Sequence, residues 1–173
     1  KSGMNALGIE PSKDAFEYSR KKYKCNVLNT TLEELDPSKN KFDFIHNSLV
    51  LEHILDPKAF VKKCKAMLKS KGLLCIIVPN DFTEIHKINV ALGKKTWWVS
   101  PFEHLNYFNQ KSLKKLFESS GFDVVYESVT FPIDLFLLMD QNYLNDPEMG
   151  KKCHSMRKKF EFNIKKATAL EFK

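Results

Sequence analysis

The sequence predicts an α/β domain built on an open, mostly parallel sheet with helices wound on both faces. Three observations predict it. Short apolar runs alternate with amphipathic stretches in the order strand, helix, strand, strand, helix, strand, helix, strand. The run Leu73 to Val78 is continuously apolar, as a strand covered on both faces must be. Helix caps and stops fall at the joints between the two kinds of segment.

Ala6-Leu7-Gly8-Ile9 is a buried strand that ends in the turn Glu10-Pro11-Ser12. Ser12 caps a helix with Ala15, Phe16, Ser19 and Tyr23 on one face. A short strand follows at 26–28, then a polar turn or short helix over Thr30 to Leu35, broken by Asp36-Pro37-Ser38. Phe42 to Leu49 is a strong strand. Asp56-Pro57 starts a helix, with Asp at the N-cap and Pro at the first helical position. Phe60, Cys64, Met67 and Leu68 form its apolar stripe, and Gly72 is expected to stop it in a left-handed cap. A helix from Asn109 to Ser120 closes at Gly121, and Phe122 to Val129 is a further strand. From Pro132 the character changes to amphipathic helical stretches, and a basic helix runs from about Glu148 to Lys166. The boundaries drawn from this pattern are a core over 1–131 and a helical extension over 132–173, which covers a site or pairs protomers as a homodimer.

Composition sets the limits. With 173 residues, 43% of them hydrophobic and 14 of them Phe, the chain can bury a core, which excludes a disordered or disulfide-built protein. Its six glycines are scattered, so it holds no Walker loop and no GxGxxG. The net charge of +7 comes almost entirely from lysine, since Arg20 and Arg157 are the only arginines. Lysine is a solvated point charge, so a lysine-rich solvent face is favoured over specific nucleic-acid binding. The four cysteines show no CxxC spacing, which suggests neither a metal site nor a disulfide framework and fits a reducing cytoplasm. The most apolar stretch, Phe131 to Met139, is broken by Asp134 and too short for a membrane span.

In such sheets ligands sit beyond the carboxyl ends of the strands, a rule that selects Glu10, the segment Asn47 to His53, and Pro79 to Asp81. Glu10 is placed to accept hydrogen bonds from a ribose diol; the plainer reading is a solvated carboxylate in a turn. His53, just past a buried strand, is either a base or a structural histidine beside the next helix. Glu103-His104 sits in an aromatic loop with Trp97 and Trp98 close in sequence. That is the composition of a substrate pocket with a general base, or of a loop packed on the sheet edge.

Taken in serial order, these pieces resemble a class I S-adenosylmethionine-dependent methyltransferase, a family with a Rossmann-like sheet. Ala6 to Ser12 is similar to the family's second strand with its ribose-binding acid, Glu10, followed by Pro11. Thr31-Leu32-Glu33-Glu34-Leu35 matches the loop flanking the adenine, which assigns Leu32 and Glu33 to the cofactor. Phe42 to His53 is similar to the fourth strand and the motif after it, which assigns Asn47, Ser48 and Leu49 to the cofactor and His53 to the catalytic set. Leu68-Lys69-Ser70-Lys71-Gly72-Leu73 matches the Leu-Lys-x-x-Gly turn before the fifth strand.

Glu103-His104-Leu105-Asn106-Tyr107-Phe108 resembles the "EHLxYF" setting of members acting on sugars and other small metabolites, where a Glu-His pair serves as the base. The resemblance thus implies S-adenosyl-L-methionine as cofactor and a sugar-like small-molecule acceptor, such as a cell-surface glycan or lipid precursor. It also places a first strand and a glycine-rich loop before Glu10, and a last strand after the sixth. Only nine residues precede Glu10, so the chain is expected to hold an incomplete sheet. A non-catalytic binding module of the same fold is the alternative; a nicotinamide-dependent oxidoreductase would rest on Glu10 alone.

Overall fold

The computed structural model describes residues 3–168. Its chain divides into two compact units, one up to Ile77 and one from Val78.

In the first unit, β1 (Gly8–Ile9) pairs in parallel with β2 (Val27–Leu28), joined by the helix α1 (Lys13–Tyr23). Ser12 caps α1, its hydroxyl accepting from the Ala15 N–H at 3.4 Å. Lys24 ends the helix in the left-handed region at φ 53°. β3 (Phe42–Ser48) and β4 (Leu68–Ile77) form a second parallel pair, joined by a 3-10 turn (Leu51–His53) and the helix α2 (Pro57–Met67). Asp56 caps α2 by accepting from the Ala59 N–H at 2.9 Å, and Phe60, Val61, Cys64 and Met67 are buried on its inner face. Burial pushes the Cys64 thiol up to about 12, which makes it an inert core group.

Two expectations change here. The helix stops at Met67, and Gly72 is not its cap. Leu68 is already paired with Phe42, Leu73 pairs with Phe44, and residues 69–72 bulge out between them. Lys71 takes the left-handed conformation, at φ 63°. Gly72 is needed for space instead: a Cβ there would lie 3.0 Å from the Lys69 carbonyl oxygen and 3.1 Å from that of Phe42. Both neighbours are backbone oxygens, which shift at a higher cost than the far end of a flexible side chain. Gly72→Ala should therefore lower stability by about 1–3 kcal/mol, read as a fall in the denaturant midpoint at constant slope. Gly8→Ala, whose Cβ would meet Val27 at an ordinary 3.4 Å, is the control and should stay within about 0.5 kcal/mol.

The sheet also departs from one continuous layer. Among the described residues, no ladder joins the β1–β2 pair to the β3–β4 pair. Phe122 to Val129 forms no strand, with Val125 80% exposed. A strand-like pattern becomes a strand only where a neighbouring strand pairs with it, and among the described residues both ladders are formed by other segments.

The second unit is helical: α3 (Glu84–Ala91), α4 (Gln110–Ser119), α5 (Leu135–Leu138) and α6 (Pro147–Thr168). α4 starts in a capping box, with the Asn109 side chain accepting from the Ser112 N–H and the Ser112 hydroxyl accepting from the Asn109 N–H. Gly121 follows at φ 82°, as its place after the helix anticipates. Asp134, in the stretch after Pro132, packs against residues before it. The buried Asp134 carboxylate accepts from Trp97 Nε1 at 2.9 Å and Tyr143 Oη at 3.3 Å, and faces His86 Nε2 at 3.4 Å. Among the described residues, no helix is long and apolar enough to cross a membrane.

Candidate functional site

The carboxyl ends of the first unit's strands carry most of the residues that the sequence singles out. Glu10 follows β1 directly, its N–H donating to the Leu28 carbonyl at 3.0 Å in continuation of the ladder. Its Oε1 accepts from the Ser12 N–H at 2.9 Å, which bends the carboxylate over the turn and leaves Oε2 for a donor from outside the chain. At the same end of the neighbouring strand, the Asn29 side chain donates from Nδ2 to the carbonyls of Glu10 (2.9 Å) and Pro11 (3.0 Å). The turn after Asn29 is fastened internally. Glu34 Oε2 accepts from the Thr30 hydroxyl at 2.6 Å and the Thr31 N–H at 3.1 Å, and these bonds hold its carboxyl below the usual range. Leu32 is buried within this turn, and the Glu33 carbonyl accepts from Lys63 Nζ at 3.0 Å. The β1–β2 ladder thus brings Glu10 and Pro11 beside the segment that holds Leu32 and Glu33.

Asn47, Ser48 and Leu49 close β3. Asn47 Oδ1 is shut off from solvent with no hydrogen-bond partner, a costly arrangement that a donor on a ligand would relieve. Leu49 sits at φ 55° while its N–H donates to the Ile77 carbonyl at 2.9 Å. A left-handed leucine is strained, and such strain concentrates where the backbone must present itself to a ligand. Three residues on, Glu52 is 1% exposed and its Oε2 also lacks a partner. Its Oε1 lies 3.9 Å from Nε2 of the more open His53. Attention to His53 in the sequence passes over Glu52, although a glutamate inside an otherwise apolar turn is itself a signal.

Glu103 and His104 lie in the second unit, in a loop with its own fastenings. Ser100 Oγ donates to Glu103 Oε2 at 3.1 Å, the His104 N–H donates to the Ser100 carbonyl at 2.7 Å, and Tyr107 Oη accepts from the Ser100 N–H at 3.0 Å. The His104 ring stands edge-on to Tyr107, with centroids 6.0 Å apart. Asp81 clasps the end of the loop: its N–H donates to the Phe108 carbonyl at 2.7 Å, and its carboxylate accepts from the Phe108 N–H at 3.2 Å. Trp98 stacks on His86 at 3.9 Å and Trp97 donates to Asp134.

Comparison with known proteins bears on what these strand ends hold. The family model described as a methyltransferase domain matches residues 1–127, which include every residue singled out above for a site. The chain belongs to this methyltransferase domain family. Its relatives include a ubiquinone biosynthesis O-methyltransferase from Bradyrhizobium diazoefficiens, 32% identical over 82% of this chain and 61% of that protein. An alpha N-terminal protein methyltransferase 1 from Schizosaccharomyces pombe is 27% identical over 74% of this chain and 56% of its own length. A probable S-adenosylmethionine-dependent methyltransferase of Mycobacterium tuberculosis is 28% identical over 67% of this chain and 40% of that protein. The methyltransferase domain chain therefore spans no more than about three fifths of these curated relatives.

The donor set fits S-adenosylmethionine. A carboxylate with one oxygen left over suits a ribose diol, and an orphaned amide oxygen suits an ammonium or hydroxyl donor.

Proposed function

We propose that the protein transfers a methyl group from S-adenosylmethionine to a small-molecule acceptor. The observation that carries this reading is the family match over residues 1–127, the segment that contains Glu10, Leu32, Asn47 and His104. Glu10 holds the ribose through its spare oxygen, Pro11, Leu32 and Glu33 form the adenine side, and Asn47, Ser48 and Leu49 receive the polar end of the donor. When bound, the donor supplies a sulfonium methyl that is already electrophilic. The chain's task is alignment and the exclusion of water.

A proton must leave when the acceptor atom is a hydroxyl or an activated carbon, and His104 takes it, with Glu103 in support. His53, beside the buried Glu52, is the second candidate base. The Glu103-His104 setting supports a sugar-like acceptor, such as a glycan or lipid precursor. The relatives named as ubiquinone biosynthesis O-methyltransferases supply a second reading, an oxygen on a quinone-type small molecule, for which catechols are simple probes. The extension over 132–173 covers the acceptor or pairs protomers.

The experiment supplies methyl-labelled S-adenosylmethionine to the intact protein with nucleotide-linked sugars in one set and catechols in another. Label in a sugar product supports the first acceptor class, and label in a catechol ether supports the second. Saturable cofactor binding with no transfer to either set would favour the non-catalytic binding module.

A further inference from the structure

We infer that Asn29 is a positioning residue for the methyl donor: it fixes the Glu10 turn against the loop that follows β2, and so sets how Glu10 meets the ribose. This rests on the cofactor role proposed for Glu10.

The ladder at this corner is short. β1 and β2 contribute two residues each, and the ladder beyond them ends in the single bond from the Glu10 N–H to the Leu28 carbonyl. A two-residue pair does not fix the backbone past its last bond. The two carbonyls that follow, those of Glu10 and Pro11, belong to the turn that aims the carboxylate. Proline adds no N–H with which that turn could be tied back. Both carbonyls accept from one group, Asn29 Nδ2, at 2.9 and 3.0 Å. An amide nitrogen has two protons, so one side chain can satisfy both acceptors at once. Asn29 also directly precedes Thr30 and Thr31, whose own bonds to Glu34 shape the turn around Leu32. The side chain therefore spans from the base of that turn to the base of the Glu10 turn. Serine, with one donor on a shorter side chain, cannot reproduce the pair of hydrogen bonds, and aspartate would set an acceptor against two acceptors.

A double-mutant cycle read by calorimetry separates positioning from mere stabilisation. Asn29→Ala should weaken S-adenosylmethionine binding about five- to tenfold, the loss expected for misplacing one charged hydrogen bond, with kcat little changed. In a Glu10→Ala background the same change should have no further effect, because Asn29 acts through Glu10. Asn29→Ser should behave like the alanine variant, and thermal melting of each variant shows that the fold persists. An equal loss from Asn29→Ala in both backgrounds would overturn the inference, as would no loss in the wild-type background. If Glu10→Ala alone leaves affinity unchanged, the ribose role of Glu10 falls, and the inference falls with it. If Glu10→Ala weakens binding and Asn29→Ala does not, only the inference fails.

Discussion

Replacing His104 by alanine should lower kcat by on the order of 10²–10⁴-fold, the usual contribution of a positioned base. S-adenosylmethionine affinity should stay where it was. The expectation depends on the loop keeping its shape without the imidazole, and its fastenings support that. Ser100 binds Glu103 and Tyr107, Asp81 clasps Phe108, and His104 contributes its backbone N–H, which alanine retains. The His104 ring stands edge-on to Tyr107, a contact that packing of the neighbouring side chains can replace. The loss should therefore fall on proton transfer rather than on folding. His104→Gln, which keeps polarity without a titrating nitrogen, should be impaired to a similar degree. Turnover equal to wild type in either variant would remove His104 from catalysis and direct attention to His53 and Glu52.

Glu10→Ala should weaken S-adenosylmethionine binding by roughly 1.5–3 kcal/mol, the range for a hydrogen bond to a charged group. Two effects combine in this variant: the ribose loses its acceptor, and the Ser12 N–H loses the Oε1 that bends the turn. Glu10→Gln separates them, since its amide oxygen can still accept from Ser12 while the charge is gone. The glutamine variant should fall between wild type and alanine. α1 should be unaffected in both, because Ser12 caps it through its own hydroxyl. Unchanged affinity in the alanine variant would show that Glu10 does not hold the ribose.

The parts of this structure that could be read from sequence are those with local causes. Ser12, Asp56 and Asn109 cap helices because a short polar side chain reaches an N–H three residues on, and that geometry is written in four consecutive residues. The parallel crossover from β3 through α2 to β4 was legible for the same reason, since the helix start and both apolar runs are adjacent in the chain. Strand pairing is not local. Phe122 to Val129 has the composition of a strand but forms none, and the β1–β2 and β3–β4 ladders remain separate among the described residues. Gly72 illustrates the same limit at one residue. Sequence offers a glycine after a helix as a cap, whereas the structure uses it where the carbonyls of Lys69 and Phe42 leave no room.

At the candidate site, Glu10 and Asn47 are legible as residue types at strand ends, and Leu32 only through the family resemblance of its loop. Asn29 is not, because its meaning lies in two carbonyls eighteen and nineteen positions earlier in the chain. The His86–Asp134 contact was hidden in the same way, though a charged residue interrupting the apolar run from Phe131 to Met139 was a usable sign. A buried carboxylate needs donors, and Asp134 finds them in Trp97 and Tyr143. Burial, and next the charge of Asp134, raise the Tyr143 hydroxyl above its ordinary value, so the phenol keeps its proton and remains a donor.

The central claim is that this chain's strand ends bind S-adenosylmethionine through Glu10. Calorimetric titration of the intact protein with S-adenosylmethionine tests it most directly, with the Glu10→Ala variant run alongside. The account predicts saturable, single-site binding that is markedly weaker in the variant. Absence of saturable binding to the folded protein would contradict it.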